Sequence, residues 1–145
     1  MFKFDATQYD SEKEYEFKPI PKGDHRIQIE SVEYVTFNSG NKGFKLVFIV
    51  NGYDGKIFHN LVLNESNPEV TNQKLGEFFN CFGIVDYDLE HYQSWVKHAG
   101  AARVKLEEYN GYENPKISYF LNKKKQAELP GWETPESIRG DFKPF

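Results

Sequence analysis

The sequence predicts a mostly β protein: five strands closing into a small barrel, one or two helices inserted between the third and fourth strands, and flexible segments at both ends. Three observations carry that expectation. Residues 25–63 hold three runs rich in Val, Ile and Phe, at 25–37, 44–50 and 56–63, separated by glycine-bearing connections. The period then changes, with Leu75, Phe78, Phe79 and Phe82 recurring at helical spacing. From Gly100 onward strand alternation returns in two runs on either side of an Asn110-Gly111 dipeptide, a tight-turn signal.

Composition narrows the classes. A chain of 145 residues is one domain with room for a real core. With 39% hydrophobic and 17% aromatic residues it is a folded chain. Eighteen basic against 22 acidic residues, net charge -4, argues against a basic nucleic-acid footprint over the whole surface but leaves room for a local basic groove. The single cysteine, Cys81, cannot form a disulfide within the chain or build a thiolate zinc cluster. No run reads as a signal peptide or spans a bilayer, so a cytosolic, reducing setting is expected.

In chain order, residues 1–19 read as an N-terminal arm. Phe2 and Phe4 can pin it, and residues 9–16 are mostly charge and loosely held. Pro19 and Pro21 stiffen an extended entry into the first strand. In that strand Ile27 and Ile29 share one face and Val35 and Phe37 continue it, while Val32 and Tyr34 stand on the other. Apolar residues on both parities require either a bulge near Glu30-Ser31 or strong coiling, and a long curved strand with two partners suits a closed barrel. The loop at 38–43, with Gly40 and Gly43, is either a plain hairpin loop or a flexible approach for a ligand. Strand two puts Phe44, Leu46, Phe48 and Val50 on one face, and strand three puts Ile57, His59 and Leu61 there.

Asn67-Pro68 starts the helix and Gly83 ends it. A second short helix from Asp88 carries Leu89, Tyr92, Trp95 and Val96. Such aromatic stripes are core rather than ligand boxes, with Cys81 beside them as a small hydrophobe. In strand four Ala102, Val104 and Leu106 alternate with Arg103, Lys105 and Glu107; in strand five Ile117, Tyr119 and Leu121 alternate with Lys116, Ser118 and Phe120. If the odd positions of strand five face the core, Phe120 points outward and needs cover, from a ligand or from the tail at Trp132. Residues 123–145 form a C-terminal tail, Lys-rich at its start, expected to hold little regular structure. The barrel domain is then residues 20–122.

This order fits the oligonucleotide-binding (OB) barrel, whose helix plugs one end. A mixed α+β sheet with the same order is the alternative. In such a barrel strands two and three and the last hairpin frame the cleft. There the chain puts Lys45, Arg103, Lys105, Tyr109, Tyr112, Lys116 and Phe120. Rings stack on unpaired bases at roughly 1–3 kcal/mol each, and cations neutralise the phosphates between them. Spacing alone leaves a second reading open, a solvated charged face with turn aromatics packed across it. No residues point to catalysis: His25, His59, His91 and His98 lack a metal-protease spacing, and no phosphate-binding loop or nucleophile elbow occurs, so no cofactor or metal is expected.

Longer motifs decide between the readings. PKGDHRIQIESVE at residues 21–33, SGNKGFKLVFIV at 39–50, HNLVLNESNPE at 59–69, then KLGEFF, VKLEEYNG at 104–111 and NPKI at 114–117 resemble a family of small bacteriophage and prophage proteins long carried under a domain-of-unknown-function label. The resemblance spans residues 20–121. It implies an OB-fold, single-stranded DNA-binding protein without sequence preference, serving phage DNA replication and recombination, with residues 109–116 as the hairpin along the DNA. The Pro144-Phe145 terminus is similar to the tip of bacterial single-stranded DNA-binding proteins, without their acidic run. The implied partners are single-stranded DNA, replication or recombination proteins reached through the tail, and further copies of the chain. The alternative function is a non-enzymatic interaction domain that docks through its tail.

Overall fold

The computed structural model describes residues 1–5, 7 and 17–132. Five strands, β1 (Gly23–Thr36), β2 (Lys42–Val50), β3 (Lys56–Leu63), β4 (Ala99–Tyr109) and β5 (Tyr112–Phe120), form one antiparallel sheet in the order β3-β2-β1-β4-β5. Helix α1 (Pro68–Phe82) and a 3₁₀ helix (Leu89–Trp95) lie between β3 and β4, and a short helix α2 (Lys123–Gln126) follows β5.

The long first strand joins the two halves of the sheet. Gly23–Gln28 pair with β4, whereas Ile27–Thr36 pair with β2. The expected irregularity is present. Ile29 pairs with Phe48 and Ser31 with Val47, leaving Glu30 as the extra residue. That bulge switches the inward parity, so Ile27, Ile29 and Val32 are all buried in one core. The outer strands β3 and β5 approach each other, with the His59 and Phe120 rings edge-on at 5.4 Å. No hydrogen-bonded ladder joins them among the described residues. The architecture is thus consistent with an OB-like fold, whereas the expected full barrel closure is not made by backbone pairing.

Helix α1 begins with Pro68 in its first turn and stops at Gly83, whose left-handed φ of 66° turns its N–H back onto the carbonyls of Phe79 and Asn80. Its inner face, Phe78, Phe79, Cys81 and Phe82, is buried. Phe82 stacks on Phe48 at 5.5 Å, and Trp95 of the 3₁₀ helix meets Phe44 at 4.8 Å and Phe78 at 5.2 Å. The small run Gly100-Ala101-Ala102 makes the seat for α1 on β4. A Cβ at Gly100 would lie 2.7 Å from the Cys81 sulfur and 3.0 Å from its carbonyl oxygen. Burial pushes the Cys81 thiol up to about 11, away from the thiolate.

Residues 123–132 depart from expectation, because they pack on the body. Asn122 caps α2, its side-chain oxygen accepting from the Lys125 N–H at 2.9 Å. Gln126 is only 4% exposed, and its amide donates to the carbonyls of Cys81 at 2.9 Å and Leu121 at 2.8 Å. The Arg26 guanidinium donates to the carbonyls of Gln126, Leu129 and Pro130, and the Asn51 amide donates to that of Gly131. This anchoring is polar, so a hydrophobic pattern does not reveal it. At the other end Lys18 and Asp54 exchange two backbone-directed hydrogen bonds of 2.8 Å, and Ile20 is buried. Residues 9–16, Ile138, Phe142 and Pro144-Phe145 lie outside the described residues.

Candidate nucleic-acid interface

The β4–β5 hairpin collects most of the expected site on one face. Asn110 and Gly111 both take positive φ, 52° and 80°, which matches the two-residue turn the dipeptide favours. Across the hairpin Tyr109 pairs with Tyr112, Glu107 with Asn114, Lys105 with Lys116, and Arg103 with Tyr119. These pairs alternate with Val104–Ile117, which join the core, and with the half-buried Leu106–Pro115. The outward face therefore runs from two rings at the tip, through two facing lysines, to an arginine beside a tyrosine. Tyr109 and Tyr112 are 71% and 74% exposed. On the opposite face of the tip Glu108 sits across from Glu113.

The cations on this face differ in availability. Lys105 holds Glu107 at 3.0 Å. Its cross-strand neighbour Lys116 has no ion-pair partner among the described residues, and like charges directly opposite on a sheet cost stability until an anion relieves them. Arg103 forks onto Asp24, whose carboxylate raises the guanidinium pKa further. A phosphate must compete with Asp24 there. A groove of about 960 Å³ runs along this side, lined by Lys22, Arg103, Lys105 and Tyr119 among others.

Phe120 does not point outward. Ile117 pairs with Val104 and Tyr119 with Arg103, so Ser118 is an extra residue that reverses the parity of the strand. Phe120 then pairs with Ala102 and enters the core, its ring 5.6 Å from that of Phe82 and 5.8 Å from that of Phe78. Tyr119 takes the outward position that alternation assigned to Phe120. Strict alternation could not reveal this, because a one-residue bulge leaves no distinctive residue type.

Lys45 stands apart. It lies on the outward face of β2 between Glu33 of β1 and Asn60 of β3, and β1 separates it from β4 in the sheet. Beside it Phe58 is 64% exposed, paired across the sheet with Val47. Phe58 is an aromatic that the site reading missed, although a phenylalanine facing opposite to Ile57 and Leu61 is visible in the alternation. His59 faces inward on β3. Burial first, then Lys74 and Lys116, lowers its pKa to about 4, so it is neutral at pH 7. His91 is bonded through Nδ1 to Asp86 at 2.7 Å, which raises its pKa. Among the described residues no cluster of three or more His, Cys, Asp or Glu side chains is placed to hold a metal ion. No described helix is long and apolar enough to cross a membrane.

Comparison with known proteins adds one finding to this geometry. The model of the family described as "Protein of unknown function (DUF669)" matches residues 3–130. No curated protein matches the chain.

Proposed function

The chain belongs to that family, the one its motifs resemble, and from this premise we propose that it binds single-stranded DNA without sequence preference and serves phage DNA replication and recombination. The observation that carries the reading is the single face of the β4–β5 hairpin, where Tyr109 and Tyr112 precede Lys105, Lys116, Arg103 and Tyr119. Exposed rings followed by cations suit a flexible strand, whose unpaired bases stack while its phosphates are neutralised. Duplex DNA hides its base faces, so it gains only the phosphate part of that energy.

In this reading the sheet acts as an OB barrel with its seam between β3 and β5. Lys45 and Phe58 extend the contact onto the β2–β3 face. Phe120 supports the site from beneath. Partners among replication or recombination proteins, reached through residues 133–145, and strand-aligned copies of the chain belong to the same reading. The net charge of -4 makes such copies useful, since one protomer offers few cations.

The test is a titration with labelled thirty-base single strands and the matching duplex at low and high salt. The single strand binds more tightly than the duplex, and its affinity falls as salt rises. Absence of binding to the single strand at low salt overturns the proposal.

A further inference from the structure

The gap between β3 and β5 holds a second basic cluster, away from the hairpin tip. A groove of about 260 Å³ lies there, lined by His59, Lys74, Glu77, Ile117, Ser118 and Phe120 among others. The His59 ring is edge-on to Phe120, and its nitrogens have no hydrogen-bond partner among the described residues. The charged groups that line the groove with the imidazole are Lys74 and Glu77 on α1; Lys116 on β5 acts on it from the adjoining outward face, while β2 presents the uncharged Phe48. Glu77 accepts a hydrogen bond from the Gln73 amide at 3.1 Å. Neither lysine has an ion-pair partner among the described residues. The unpaired Lys74 ammonium and the half-buried imidazole thus share a groove open to solvent, and Lys116, on the adjoining outward face of β5, is near enough for its charge to be felt at the ring.

Resting on the nucleic-acid reading, we propose that this groove holds a phosphate group of the bound strand, seated between Lys74 and Lys116, and that His59 takes up a proton from solvent as the phosphate arrives. Lys116 also belongs to the hairpin face, so a strand passing Tyr112 and Lys116 comes next to this gap. In the free protein the lysines oppose a charge on His59 and burial opposes it more. A phosphate between them reverses the sign of the local field and supplies an acceptor for an imidazolium N–H. Binding and protonation are then linked, each favouring the other.

Two readouts on the full-length chain test this. The first is affinity for labelled thirty-base oligothymidylate between pH 5.5 and 7.5, for the wild type, His59→Gln and Lys74→Gln. Wild-type binding strengthens as pH falls, by at most about tenfold per pH unit where one proton is taken up on binding. His59→Gln loses that dependence. Lys74→Gln, an exposed helix position, lowers the slope of log affinity on log salt by about 0.7. The second readout is the His59 ring resonance, whose pKa rises when oligothymidylate is added. If the strand binds while His59 and the variants behave as bystanders, the groove proposal fails and the hairpin reading stands. If the strand does not bind at all, inorganic phosphate decides. A His59 pKa raised by phosphate in the wild type but not in Lys74→Gln keeps the anion site, with free phosphate as its source; no rise overturns it.

Discussion

Tyr112 and Lys105 stand on one face, and the proposed interface assigns them different work, a difference that is measurable. Tyr112→Ala removes an exposed ring, so binding to a single strand weakens by about 1–3 kcal/mol while the salt slope and the melting temperature hold. Lys105→Ala removes one phosphate contact, so the slope of log affinity on log salt falls by about 0.7. Equal affinities for wild type and Tyr112→Ala, with a lower melting temperature in the variant, would return that ring to a packing role. Phe120 and Tyr119 make a contrasting pair. Phe120 meets the rings of Phe48, His59, Phe78 and Phe82. Phe120→Ala therefore costs stability approaching the ~3–5 kcal/mol of a fully buried phenylalanine, read from the denaturant midpoint. Tyr119→Ala leaves that midpoint close to wild type. The rings and cations of the proposed site, around an Asn-Gly turn, can be read from the sequence. The choice between Phe120 and Tyr119 cannot, because it depends on one extra residue at Ser118.

At the scale of elements, both helices show how local signals and packing divide the work. Helix α1 was readable at both ends, from Asn67-Pro68 to Gly83, because caps are chemical requirements of a few residues. Its seat was less visible, since it needs Gly100 to have no side chain where the Cys81 sulfur passes. Helix α2 escaped the reading altogether. Its anchor is the buried amide of Gln126, which satisfies the carbonyls at the end of α1 and after β5. Gln126→Ala leaves those groups without a partner, at a cost of about 1–3 kcal/mol. The expected result is a lower denaturant midpoint with an unchanged slope, and DNA affinity unaffected at temperatures where the variant stays folded. A midpoint equal to wild type would show that residues 123–132 contribute nothing to the body.

Across the whole molecule, pH acts through two histidines of opposite sign. The pKa of His59 falls from its ordinary 6.5 to about 4 on folding. Its contribution to stability is therefore complete above pH 6.5 and drains away as pH falls toward 4, where the folded state finally accepts the proton. The pKa of His91 is raised by Asp86, so its contribution is present below pH 6.5 and lost as pH rises through its folded value. Denaturant midpoints from pH 7 to pH 4.5 should fall in the wild type and fall less in His59→Gln. An identical fall in both would show that the groove between β3 and β5 does not shield His59 from protonation. Bound strand should flatten the wild-type curve as well, because it favours the charged imidazole.

The sequence by itself determined the order of the main elements, three strands, one or two helices and two strands, together with an irregularity in β1, the hairpin turn and the family. Each is written locally, in a period of two or 3.6 residues, a cap or a turn dipeptide. Only the tertiary structure decided which side chains share a face. The bulge at Ser118 sent Phe120 inward and Tyr119 out, and β1 divided Lys45 from the hairpin cations. It also left β3 and β5 unpaired, with His59 and Lys74 lining the gap. The reason is physical. Facing is a cumulative property of register, so one inserted residue changes everything after it. A gap between two edges belongs to neither strand, and no pattern within either one can record it.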